Sequence, residues 1–191
     1  LGGVFFDWDP KYFFKNIFID QKELNYFLGN ICNDKWNSKQ DKGRSIDEAE
    51  KNLISIYPKY EKQIKMYYSN HHKMIKKTYR QSIDILNELK KLKYQCFVLS
   101  NWSYQTFEGM HKKYPFLNSF DDIIISGLLK KIKPHKDIYR IAIKKFKLNP
   151  VETIFIDDKF VNIVTAKKLG FKTIHLTDPR KIKLEIYKII K

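Results

Sequence analysis

The segment Thr153-Ile-Phe-Ile-Asp157-Asp158 is an apolar run that ends in two adjacent carboxylates. Paired acids with no counter-charge repel each other, so a cation is expected beside them. A hard divalent ion such as Mg²⁺ suits oxygen donors of this kind. Two further polar sites also follow apolar stretches: Ser100-Asn101 after Phe97-Val-Leu99, and Lys133-Pro134 after Gly127-Leu-Leu. A serine hydroxyl and the N–H groups around it can hold phosphate oxygens where a helix begins. A lysine can offset charge on a transferring phosphoryl group. Pro134 biases Lys133 toward extended backbone, which lets its side chain enter a cleft. Ser100, Lys133 and Asp157 are spaced by 33 and then 24 residues, gaps that each fit about one helix plus one strand. Each site also has a plainer reading. Ser100 would serve as a helix N-cap, Lys133 as one more surface lysine among Lys130, Lys131 and Lys136, and the acid pair as the favoured charge at a helix start. His135 reads as a surface or capping residue.

The elements that would position these residues alternate. Helical spacing over Ser82–Leu92 precedes a short apolar strand, Tyr94–Leu99. A helix over Ser103–Tyr114 leads to a strand at Asp122–Ser126. A helix over Asp137–Phe146 leads to a strand at Thr153–Ile156. A helix over Val161–Leu169, stopped by Gly170, leads to a strand at Lys172–Leu176 and a last helix over Lys181–Ile190. Strands this continuous in apolar residues belong in a buried parallel sheet. The pattern predicts an α/β, Rossmann-like doubly wound parallel sheet with right-handed crossovers. Open sheets of that kind bind ligands at the carboxyl ends of their strands.

The stretch from Pro10 to about Lys77 has a different texture. It predicts four amphipathic helices: around Tyr12–Phe18, around Glu23–Ile31, over Ile46–Tyr57, and over Ile64–Met74. Ser45 with Glu48 three residues later forms a capping-box pattern at the third. Trp8, Trp36, Tyr67 and Tyr68 read as core of this helical unit.

The formal net charge of +16 invites a nucleic-acid reading. The basic residues are almost all lysines spread along the chain, and only Arg44, Arg80, Arg140 and Arg180 are arginines. Asn, Ile, Lys, Tyr and Phe abound and alanine is scarce, a composition that AT-rich codons produce by themselves. The expectation is a solvated basic surface that steers small anions inward, with no nucleic-acid partner. No apolar run reaches the ~20 residues of a membrane-spanning helix, and no secretory leader opens the chain. Cys32 and Cys96 have no metal-type spacing, and Cys96 reads as a buried core thiol. A cytoplasmic protein with no membrane partner is expected.

In order and spacing, Ser100-Asn101-Trp102, Lys133-Pro134 and Ile156-Asp157-Asp158 with Asn162 resemble the haloacid dehalogenase-like (HAD) hydrolase superfamily. The similarity spans the chain and is strongest to the subgroup with a helical cap inserted after the first strand, which includes sugar-phosphatase-like and haloacid-dehalogenase-like members. It implies an α/β core formed by residues 1–9 and 78–191, with an α-helical cap formed by 10–77. It also implies a Mg²⁺-dependent phosphatase that acts on a small phosphorylated metabolite through an aspartyl-phosphate. Ser100, Asn101 and Lys133 would be catalytic and substrate-binding. Asp157, Asp158 and the Gly2 backbone would hold the metal. Leu1-Gly-Gly-Val-Phe-Phe6 resembles the subgroup's opening, in which the nucleophilic Asp stands just upstream of Leu1. Gly2 then occupies the place of a second Asp that serves as general acid–base in typical members. Asp7-Trp8-Asp9 is a rival Asp-x-Asp, but Pro10 and Lys11 do not continue the family motif. It is expected instead at the junction of core and cap. Two alternatives remain: dehalogenation at carbon, which needs no metal and gains little from paired acids, and a non-catalytic binding protein built on the same fold.

Overall fold

A computed structural model describes residues 1–190. Its strands form three pairs. Strand β1 (Phe6–Trp8) runs antiparallel to β2 (Ile75–Thr78), β3 (Phe97–Ser100) parallel to β4 (Asp122–Ile125), and β5 (Ile154–Asp157) parallel to β6 (Lys172–His175). The helices between the parallel strands make this the expected α/β arrangement. They are α7 (Tyr104–Phe107) and α8 (Met110–Lys113) after β3, α9 (Ser126–Leu129) and α10 (Lys136–Phe146) after β4, and α11 (Phe160–Lys168) after β5. Helix α6 (Arg80–Lys91) precedes β3, and α12 (Ile182–Ile190) closes the chain.

The residues between β1 and β2 carry their own apolar core. Phe14, Phe27, Ile64, Tyr67 and Met74 are fully buried against one another. The helices here are α1 (Lys11–Phe14), α2 (Gln21–Tyr26), continued by a π turn over Phe27–Ile31, α3 (Asp34–Asp41), α4 (Ile46–Ile56) and α5 (Glu61–Ser69). Ser45 caps α4 as its sequence predicts, its hydroxyl accepting the Glu48 N–H at 3.2 Å.

Four local expectations need correction. First, Ile75–Thr78 is a strand, so the chain returns from the helical stretch through β2, and the boundary expected after residue 77 falls inside that strand. Second, the single helix expected over Ser103–Tyr114 is two short ones. Gly109 sits between them at φ 75°, a left-handed conformation that stops α7's path and starts α8. Third, β3 begins at Phe97, and Tyr94 is exposed. Fourth, Cys96 is therefore half-buried ahead of the strand, not inside it.

The two parallel pairs share no ladder. Between β3 and β5 lies a cavity of about 1070 Å³, lined on one wall by Phe97, Val98, Leu99 and Ser100 and on the other by Ile154, Phe155, Ile156 and Asp157. Each strand is paired on one edge only. In a parallel strand, alternate N–H and C=O groups point to opposite edges. Half of those on β3 and β5 therefore face away from their partners. The cavity extends past the carboxyl ends of both strands, toward the helical stretch.

Candidate active site

β3 and β5 bring the chemical residues to one edge. Ser100 ends β3 and Asp157 ends β5, both buried (3% exposed each). Lys133 follows α9 in the loop before α10. Its Nζ donates to Asp157 Oδ2 at 2.6 Å and to the Leu99 carbonyl at 2.8 Å. The ammonium also lies 5.6 Å from the centre of the Phe155 ring. Lys133 is thus an inward-facing lysine (8% exposed), unlike the exposed Lys130, Lys131 and Lys136 around it.

Asn101 holds that lysine in place. Its Oδ1 accepts the Lys133 N–H at 2.9 Å, and its Nδ2 donates to the Lys133 carbonyl at 3.0 Å. One N–H and one lone pair of the carboxamide are used in this clamp, so Asn101 fixes Lys133 and keeps a second N–H.

The two acids differ in electrostatic state. Burial alone would push Asp157 up, but the Lys133 ammonium, the Lys159 N–H and the Asn162 amide outweigh it and hold the carboxyl below its usual range. Asp158 goes the other way. Burial and the neighbouring Asp157 charge push it up. No side-chain donor bonds its carboxylate among the described residues, although its backbone carbonyl contacts His175 Nε2 at 3.0 Å. Gly3 gives way to Asp158: at φ 70°, a Cβ on residue 3 would sit 2.6 Å from Asp158 Oδ2. Gly2 has open space, with nothing within 4 Å of a Cβ placed there.

Leu1 completes the edge. Its nitrogen lies 3.4 Å from Ser100 Oγ, and it lines the cavity with Ser100, Lys133, Asp157 and Asp158. Asp7-Trp8-Asp9 lies on and just after β1. Asp7 accepts the Tyr12 hydroxyl at 2.7 Å, and Asp9 caps the entry to α1 through the Lys11 N–H at 2.8 Å. Those bonds fit the expected junction role. His135 is exposed at the start of α10 and makes no side-chain cap bond.

Several residues of the site were not singled out from sequence. Asn162 was noted, but not the Tyr139 hydroxyl that donates to its carbonyl at 3.0 Å and fixes the start of α11. Ser126, fully buried, takes the Trp102 N–H at 3.0 Å and donates to the Asp41 carbonyl at 2.5 Å, so it ties the loop after β3 to the end of α3. On α3, Asp34, Asn37, Ser38 and Asp41 repeat at helical spacing and line the same cavity. Opposite them stands an aromatic wall: His71 lies 5.7 Å, ring centre to ring centre, from both Trp8 and Trp102. The available signal was α3 itself, a helix with only Trp36 as a large apolar residue.

Three comparisons bear on this geometry. The family model described as haloacid dehalogenase-like hydrolase matches residues 13–176. The sesquiterpene phosphatase astK of Aspergillus oryzae is 25% identical over 200 residues, covering all of this chain and 93% of its own length. The glyceraldehyde 3-phosphate phosphatase of Methanocaldococcus jannaschii is 28% identical over 166 residues, covering 83% of this chain and 69% of its own. A HAD family enzyme of Bacteroides thetaiotaomicron, solved with magnesium and inorganic phosphate, superposes with a TM-score of 0.69 at 24% identity, over 91% of this chain and 89% of that one.

Proposed function

Since the chain belongs to the haloacid dehalogenase-like hydrolases, we propose that it is a phosphatase for small phosphorylated metabolites, working through an aspartyl-phosphate with Mg²⁺. The observation that carries this reading is the convergence of Ser100, Lys133, Asp157 and Asp158 on one cavity, with Lys133 and Asp157 in contact and Asp158 without a side-chain partner. The phosphatase names among the relatives and the magnesium–phosphate complex of a structural neighbour support it.

The donor set fits a hard divalent cation. Asp158 offers a carboxylate raised by burial and by a like charge, the state a bound cation would relieve. Asp157 keeps a lone pair beyond its bonds to Lys133, Lys159 and Asn162. No group of three or more His, Cys, Asp or Glu residues suited to a metal stands together among the described residues. A carbonyl such as that of Gly2, water and the phosphate itself would complete the shell, as is usual for Mg²⁺. The ion would supply charge stabilisation at the phosphoryl oxygens.

The chain's own residues do the remaining work. Ser100 Oγ would hold a phosphoryl oxygen at the end of β3. The Lys133 ammonium, fixed by the Asn101 clamp, would offset phosphoryl charge as it develops. The helical stretch over the cavity would shut out water and contact the leaving group.

By the family's motif order, the nucleophile would be an Asp directly upstream of Leu1. Mass spectrometry of the full-length protein, acid-quenched during turnover of p-nitrophenyl phosphate, tests this. A phosphorylated Asp adjoining Leu1 is expected, and phosphate found on any other residue would remove the assignment.

A further inference from the structure

Breaking a phosphate ester of an alcohol leaves an alkoxide that needs a proton, and a positioned acid is worth ~10²–10⁴-fold in rate. Gly2 carries no acid at the place where the resemblance puts one. Of the other acids lining the cavity, Asp34 is exposed, Glu152 stands before β5 at the end away from Asp157, and the remaining three are committed. Asp157 is held ionised by Lys133, Asp158 would be the open cation ligand, and Asp7 accepts the Tyr12 hydroxyl. His71 is kept neutral, its pKa lowered to about 4 by burial and then by His72, so it carries no proton to give.

Resting on the phosphatase reading above, we infer that Asp41, at the end of α3, is the proton donor to the leaving-group oxygen. It lines the cavity shared with Ser100, Lys133 and Asp158. Its place is set by a two-bond bridge through the Ser126 hydroxyl, which joins the Asp41 carbonyl to the N–H of Trp102, two residues past Ser100. The approach is close on both sides. A Cβ on Gly127 would sit 2.7 Å from the Tyr104 nitrogen, and one on Gly43 would sit 2.8 Å from the Gly127 carbonyl oxygen. The acid is therefore fixed against the phosphate-holding loop, not left on a mobile lid.

Its protonation state matches the task. Burial pushes the carboxyl up to about 7; Lys159 and the Ser103 N–H pull it down, and Asp34 on the same helix adds to the rise. Tyr67 and Tyr68 on α5 also face it, as neutral phenols that burial holds well above neutrality. In the first half-reaction the nucleophilic carboxylate bonds to phosphorus and the bond from phosphorus to the leaving oxygen breaks. The electron pair stays on that oxygen, which takes the Asp41 proton. In the second half, water attacks phosphorus and gives a proton to bulk water, the bond from phosphorus to the aspartyl oxygen breaks, and the Asp41 carboxylate regains its proton from bulk water. Phosphate leaves, and both carboxyl groups return to their starting states.

The test uses the full-length protein and two substrates. p-Nitrophenyl phosphate has a leaving group that needs no proton, whereas β-glycerophosphate has one that does. Asp41→Asn is expected to lower kcat on β-glycerophosphate by ~10²-fold or more and to leave p-nitrophenyl phosphate nearly unchanged. In the wild type, kcat for β-glycerophosphate is expected to fall as pH rises through about 7, with no such limb for p-nitrophenyl phosphate; that profile needs no variant to fold. Equal losses on both substrates, no loss on either, or matching wild-type pH profiles would overturn the role of Asp41 and leave the phosphatase reading standing. A wild type inactive on both substrates would instead remove that reading, and this one with it.

Discussion

Lys133 and Asp157 form the site's one buried ion pair among the described residues, with side chains 7% and 4% exposed. Removing one member of such a pair leaves a charge with no solvent and no partner, which costs about 3–5 kcal/mol. Lys133→Met keeps the stem and removes the ammonium. It is expected to abolish turnover and to lower stability at pH 7 by that amount in urea unfolding. The sign with pH follows from the depressed Asp157 carboxyl. Its contribution is present above the ordinary carboxylate pKa of 3.8 and is lost as pH falls through the lower folded value. The difference between wild type and variant should therefore shrink in acid. An unchanged unfolding midpoint at pH 7 would show that the pair contributes nothing. The carboxyl at Asp158 points the other way, raised by burial and by its neighbour. Two adjacent acids thus differ in state, one held ionised by its partners and the other raised.

At the scale of elements, much of the core could be read from the chain. Apolar runs bounded by polar residues gave β3 to β6 to within a few residues, because a strand buried on both faces is apolar throughout. Ser100, Lys133 and Asp157 were legible because each closes or follows such a run. β2 was not, since Ile75-Lys-Lys-Thr78 carries two exposed lysines and pairs with β1 across the whole helical stretch. The break at Gly109 was hidden by helical spacing on both sides of it. Asp41 and Ser126 were invisible for another reason: their meeting depends on how α3 lands on the loop after β3, a non-local contact that no periodicity encodes. That landing can be tested at Gly127. Gly127→Ala would force the Tyr104 backbone away, at about 1–3 kcal/mol of overpacking cost. A lower melting temperature is expected, with a greater fall in kcat for β-glycerophosphate than for p-nitrophenyl phosphate, because Asp41 moves with the joint. Wild-type melting and kinetics in this variant would mean that the close approach is not required.

For the whole molecule, a core of two parallel strand pairs and a separately packed helical stretch enclose one large cavity, and every residue assigned to chemistry lines it. No helix among the described residues is long and apolar enough to cross a membrane. The net charge of +16 favours small anions as partners in general. The fold also serves a different chemistry, dehalogenation at carbon, in which the leaving halide carries no polyanionic charge and a metal has nothing to screen. The acid pair favours the phosphatase. The most direct measurement is a parallel assay of the full-length protein on p-nitrophenyl phosphate and 2-chloropropionate, with Mg²⁺ and with a chelator. Phosphate release that depends on Mg²⁺, with no chloride released, is the result expected here. Chloride release that survives the chelator, without phosphate release, would contradict it.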